Sequence, residues 1–210
     1  MPLIRKNAGT PPAAAAPPDV DADLARLRRG SPDERWDAAR RLAAAPQAAA
    51  ALGAALAAEP DARVREAIFT SLARLDSSAA AEAAIACIRS DDAQLRTGAM
   101  DALQAMPTAL GPQLAALLRD ADPDVRLLAC ELVRSRPEAE ATALLSRLLD
   151  SEPEINVVAA AVDVLAEIGG REAVPALRRC GARFAGQPFL DFAVRDACER
   201  LERQSAPPHG

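Results

Sequence analysis

Apolar residues in this chain recur on a helical beat. Val64, Ile68, Leu72 and Leu75 stand at i, i+4, i+8 and i+11; Leu95, Ala99, Leu103 and Met106 repeat that spacing, and Val157, Ala161, Leu165 and Ile168 repeat it again. The spacing places each set on one stripe of an α-helix, with polar residues on the opposite face. Shorter stripes between them, such as Leu110, Leu114, Leu117 and Leu118, predict second helices over 47–58, 79–89, 110–119, 137–149 and 172–179. The chain therefore reads as pairs of helices, a long one followed by a shorter one.

The start of each pair carries a recurring motif, clearest at Asp122-Pro123-Asp124-Val125-Arg126. With the arginine as marker, copies fall at Arg35, Arg65, Arg96, Arg126 and Arg195, and Val158 occupies the slot in a degenerate copy. Successive markers are 30, 31, 30, 32 and 37 residues apart. A fixed period in this range marks a solenoid, in which each unit buries its apolar face only against its neighbours. The position four after the hydrophobic residue of each motif is small in most copies (Ala38, Ala99, Ala129, Ala161, Cys198), which lets helix axes approach closely.

Composition supports an all-α reading: half the residues are hydrophobic, mostly Ala and Leu, while Tyr is absent and only one Trp and four Phe occur. Strong helix formers dominate, and the β-branched and aromatic residues that favour strands are scarce. A net charge of −5 argues against a nucleic-acid or anionic-membrane binder. Lys6 is the only lysine, and the Ala/Arg/Pro bias fits a GC-rich bacterial genome. No apolar run is long enough to span a bilayer, and Arg5-Lys6 lead into a Pro/Ala tract without the apolar core of a signal peptide. A soluble, monomeric, cytoplasmic protein is expected. The four cysteines (Cys87, Cys130, Cys180, Cys198) form no C-x-x-C pair and read as small hydrophobes.

In chain order, residues 1–18 form a Pro/Ala-rich segment expected to be a flexible, disordered tail. Asp19 or Asp21 can cap a helix carrying Leu24 and Leu27 on one face and stopped by Gly30, a lone helix closing the N-terminal end of the stack. The repeats then occupy the rest of 19–203, and residues 204–210 form a second flexible tail. Pro112, Pro137 and Pro175 are expected near helix starts, where a missing N–H costs least.

An Asp-x-x-Val-Arg-x-x-Ala opening, a Leu eight residues after the Val and a short second helix resemble HEAT repeats, and the near-30 spacing resembles the short subtype first recognised in phycobilin lyases. The resemblance covers about residues 31–203, five full repeats and a C-terminal half. It implies a right-handed superhelix of antiparallel helix pairs, about five to six repeats, with about a dozen helices and no sheet. Families of this kind include chromophore lyases, a metal-dependent hydroxylase of deoxyhypusine, DNA glycosylases of related fold and many scaffolds. Glu34, in place of the first hydrophobic residue, and Val158, in place of the arginine, depart from the pattern.

The recurring pairs Asp61/Arg65, Asp92/Arg96, Asp122/Arg126 and Asp191/Arg195 admit two readings. One is an arginine row that binds an acidic partner. The other, preferred, is an internal ladder: each acid caps its helix and each arginine pairs with an acid of an adjacent repeat.

Catalysis finds little support. The only histidine is His209, in the C-terminal tail, so His-based metal sites and Ser-His or Cys-His systems are excluded. No carboxylate pair is singled out by spacing, and no cofactor or metal is implied. Two functions remain: a non-catalytic scaffold binding another protein on the solenoid surface, or a phycobilin-lyase-like chromophore lyase or chaperone-lyase.

The last repeat step contains an insertion, 181–189, rich in Phe. Phe184, Phe189 and Phe192 are expected to fold back and plug the open end of the core, the alternative being a binding face. Phe184 and Phe189, with Arg147, Arg178 and Arg179, are the candidate partner-binding residues.

Overall fold

The computed structural model describes residues 19–204. Both expected tails, and His209 with them, lie outside the described residues, save Gln204 at the end of the last helix.

Twelve α-helices and no strand occur among the described residues. A lone helix α1 (Val20–Arg29) precedes the pairs α2 (Pro32–Leu42) with α3 (Ala49–Leu56), α4 (Ala62–Leu75) with α5 (Ser78–Cys87), and α6 (Ala93–Gln104) with α7 (Pro107–Leu117). The pairs α8 (Pro123–Val133) with α9 (Glu138–Leu149) and α10 (Ile155–Ile168) with α11 (Val174–Arg183) follow, and α12 (Pro188–Gln204) closes the array. Single 3-10 turns, Pro46–Ala48 and Arg171–Ala173, lead into α3 and α11. First helices stack in one row, α2 to α12; second helices pack α3 on α5, α5 on α7, and α9 on α11. The result is an all-α solenoid, and the stripes read from the sequence line its core: Ile68, Leu72, Leu103, Met106, Leu110, Leu114 and Leu145 are fully buried.

Local chemistry explains why the helices begin where they do. Ser31 and Glu34 form a capping box at α2, and Asp61, Asp92 and Asp122 each accept backbone N–H groups at the start of α4, α6 and α8. α7 lacks a cap of its own. Asp76, in the left-handed region with φ +38°, supplies one from the preceding pair, its carboxylate accepting from Ala109 N at 2.8 Å and Thr108 N at 3.2 Å. Pro107 opens α7, so Pro112 sits inside the helix and not near its start. At Gly98 the Phe69 ring of α4 lies over the α6 backbone, and an added Cβ would stand 2.6 Å from it. Glycine is what allows these two helices to close up.

α1 is fastened by a buried acid. Asp23 accepts from Arg41 of α2 at 3.0 Å and pairs with Arg26 at 2.9 Å.

The C-terminal end corrects one expectation. Phe189 and Phe192 are 72% and 67% exposed, so they do not plug the core. α12 begins at Pro188, and its apolar stripe Leu190, Val194, Ala197, Cys198 and Leu201 faces inward. At 100° per residue, Phe189 and Phe192 then fall on the opposite side. Only Phe184, half-buried, packs against the core.

Candidate functional site

The residues that repeat hold one repeat to the next. In four successive loops, the side chain two residues before the helix N-cap accepts that N-cap's own N–H. Glu59 takes it from Asp61 (3.0 Å), Ser90 from Asp92 (3.1 Å), Asp120 from Asp122 (3.0 Å) and Glu152 from Glu154 (3.0 Å). Arginines close the loops that lead into first helices. Arg35, Arg96 and Arg126 donate to the carbonyls of Gly30, Ser90 and Asp120, each within 2.6–2.8 Å. Arg35 also forks onto Glu59 through two bonds of 2.8 Å, and Arg126 onto Glu152 through two of 2.7 Å. Arg65 instead reaches Asp92 and Gln94 of the next repeat. Where Val158 replaces the arginine, Arg183 arrives from α11 and donates to the carbonyls of Leu149 and Glu152.

Electrostatics follow this geometry. Burial works to raise the Glu152 carboxyl, but the Arg126 fork and the Glu154 N–H more than offset it and hold it below the usual carboxylate range. Arg89, donating to Asp120, together with the Asp122 N–H, lowers Asp120 to about 2. Desolvation raises the thiols, Cys130 to about 12, and all four cysteines are buried and free.

Three members of the expected ladder depart from it. Asp191 lies in the first turn of α12 and caps no helix among the described residues, because the insertion lets that helix start at Pro188. Arg195 is exposed and forms no ion pair among the described residues. Arg96 bonds the Ser90 carbonyl and, among the described residues, no carboxylate.

The candidate partner-binding residues also separate. Arg178 pairs with Glu202 at 2.7 Å and Arg179 with Asp150 at 2.7 Å, while Arg147 has no partner among the described residues. Arg147 lines a groove of about 380 Å³ between α7 and α9, with walls of Ala115, Leu118, Leu144 and Leu148 and the Arg126–Glu152 fork at its base. Arg119 stands on the same rim, also unpaired among the described residues, and was not singled out in the sequence as a binding residue. Its lack of a partner depends on which acid Arg126 occupies, a fact of the fold. Phe189 is solvent-facing on α12 beside Phe192; Phe184 is half-buried, with Arg183 over its ring at 5.3 Å. Trp36 is covered by Arg40 and Arg63, at 4.4 and 5.5 Å from its ring centre.

Among the described residues, no three His, Cys, Asp or Glu side chains converge as a metal site, and no helix is long and apolar enough to cross a membrane.

No curated protein is significantly similar in sequence to the chain. Solved structures are similar in fold. One, described as the structural basis of microtubule plus end tracking by XMAP215, CLIP-170 and EB1, is 14% identical, covers 89% of this chain and 94% of its own, and superposes with a TM-score of 0.52. A designed armadillo repeat protein in complex with the peptide (KR)4 is 15% identical over 88% of this chain and 100% of its own, with a TM-score of 0.43. The complex of CpcE and CpcF of phycocyanin lyase from Nostoc sp. PCC7120 is 17% identical over 95% of this chain and 100% of its own, with a TM-score of 0.39. At such identities the likeness concerns the fold. A family model described as HEAT repeats matches residues 111–183, which span α7 to α11. The chain is thus an all-α solenoid of stacked helix pairs, of which residues 111–183 match the HEAT-repeat model.

Proposed function

We propose that the chain is a non-catalytic scaffold that holds a partner protein on the surface of its solenoid, acting as a cytoplasmic monomer. The observation that carries this reading is the pair Phe189 and Phe192. These are the two most exposed bulky hydrophobic side chains among the described residues, and they stand one helical turn apart on α12. Neither contributes to closing the core, since Leu190, Val194 and Leu201 do that from the opposite stripe. Each Phe removed from water by a partner adds roughly 1.5–3 kcal/mol, and exposed aromatics of this kind are the usual energetic centres of an interface.

The test compares the chain with a Phe189→Ser/Phe192→Ser variant, each used as bait and the captured proteins identified by mass spectrometry. The expected result is an unchanged thermal melt, because both side chains lie outside the core, together with loss of a partner that the unaltered chain retains. An unchanged set of captured proteins would remove this site from the account. Capture of nothing by either bait would remove the scaffold reading itself.

A further inference from the structure

We infer that the groove between α7 and α9 is a docking site for an acidic peptide segment of a partner protein, one with carboxylate side chains on either side of an apolar residue. This deepens the scaffold reading and rests on it.

Cations outnumber the available acids around this cleft. Asp120, Arg126 and Glu152 lie in the cleft lining, with Arg119 and Arg147 at its rim. Both acids are already engaged. Asp120 is paired with Arg89 from the turn after α5, and Glu152 is held by the two-bond fork of Arg126. Asp150, the C-cap of α9 beside the groove, is taken by Arg179. Arg89 finds its acid in the loop one repeat on, and by that register the acid for Arg119 would be Glu152. Arg126 occupies it, so three arginines meet two committed carboxylates, and Arg147 adds a fourth cation. Arg119 and Arg147 are both exposed and without a partner among the described residues.

The sequence shows that this arrangement is particular to one place. A second cleft, between α1 and α3, repeats the groove position by position: Leu27, Arg28, Arg35, Glu59 and Pro60 stand where the first has Leu118, Arg119, Arg126, Glu152 and Pro153. At the positions of Leu144, Arg147 and Leu148, however, it carries Ala51, Ala54 and Ala55. Among the shared residues, the Arg35–Glu59 and Arg126–Glu152 forks hold the loops. The differing ones add a second cation and two larger apolar walls, which are what an acidic segment with an apolar side chain requires. A single-stranded nucleic acid would also meet the charge. Among the described residues the groove has no aromatic ring on which a base could stack, and the chain as a whole carries a net charge of −5, so a peptide is favoured.

The test uses the full chain and fluorescein-labelled Glu-Glu-Leu-Glu-Glu, with Lys-Lys-Leu-Lys-Lys and an oligo-dT of similar length as rivals, read by fluorescence anisotropy at low and high salt. The acidic peptide should bind, weaken as salt screens it, and lose roughly tenfold in affinity in Arg119→Ser and again in Arg147→Ser, the loss expected of a charge-assisted hydrogen bond. Arg28→Ser, in the equivalent cleft, should leave affinity unchanged. All three arginines are exposed, so melting temperature should not move. Equal affinity for the basic peptide, preference for the oligonucleotide, or insensitivity to Arg119→Ser and Arg147→Ser would each overturn the inference. If the peptide fails while the Phe189→Ser/Phe192→Ser comparison still finds a partner, the acidic groove falls and the scaffold stands. Failure of both removes the two together.

Discussion

Glu152→Ala is the substitution whose cost the structure defines best. The residue is 3% exposed and accepts three hydrogen bonds: two from Arg126 at 2.7 Å and one from the Glu154 backbone at 3.0 Å. Truncation leaves the Arg126 guanidinium short of its counter-charge and the Glu154 N–H without its acceptor. Breaking a buried pair from one side typically costs about 3–5 kcal/mol. Arg126 keeps the carbonyls of Asp120 and Ala121 and borders an open groove that water can enter, which sets the cost near the lower end, about 3 kcal/mol. In urea, followed by circular dichroism, a loss of that size should lower the unfolding midpoint by about 1–2 M. Glu202→Ala breaks a pair in which both partners are well exposed, and should cost under about 1 kcal/mol. Combining Glu152→Ala with Arg126→Met should recover part of the loss, since the orphaned charge is then gone. A midpoint for Glu152→Ala within roughly 0.3 M of the unaltered chain would refute the view that these forks hold the repeats in register.

Three further outcomes follow from the same geometry. Leu72→Ala and Leu103→Ala, both fully buried, should each cost about 2–5 kcal/mol, with hydrogen exchange rising first in the altered repeat and its neighbours; a uniform rise across the chain would contradict nearest-neighbour stacking. Asp120 is held below its unfolded value, at about 2, so its contribution is present above the ordinary carboxylate pKa and lost as pH falls from about 4 towards 2. Asp120→Asn should flatten the acid limb of the stability profile in that window, and an unaltered limb would show that the Arg89 contact is not formed in solution. The buried cysteines should resist iodoacetamide at neutral pH until the chain unfolds, with Cys130 slowest because its thiol is raised to about 12; rapid labelling in the folded state would be inconsistent with the packing described.

Much of the architecture was legible because a solenoid writes its contacts locally. The 3.6-residue stripes, the period near 30 and the capping acids all lie within one repeat, so Leu72, Leu103, Asp61 and Asp122 could be placed from spacing alone. What escaped depends on contacts across repeats. Phe184, Phe189 and Phe192 read alike as a cluster, yet their fate is decided by where α12 begins, and the start at Pro188 turns Phe189 and Phe192 outward. Arg183 gives no sequence sign that it replaces the arginine missing at Val158. Arg147 was among the expected binding residues, whereas Arg119 was not, because its lack of a partner depends on Arg126 having taken Glu152. The repeated Glu-Pro-acid triplets at 59–61 and 152–154 were the available signal for the two forks.

On this reading, residues which repeat hold the solenoid together, while those that break the repeat, Phe189, Phe192 and Arg147, meet a partner. Unfolding midpoint and partner capture measured side by side on Glu152→Ala and on Phe189→Ser/Phe192→Ser test it most directly. The account predicts that Glu152→Ala lowers the midpoint and, at a temperature where it remains folded, keeps the partner, whereas the double Phe variant keeps the midpoint and loses the partner. The reverse pattern, with the midpoint moved by the exposed phenylalanines and capture abolished at the buried fork, would contradict it.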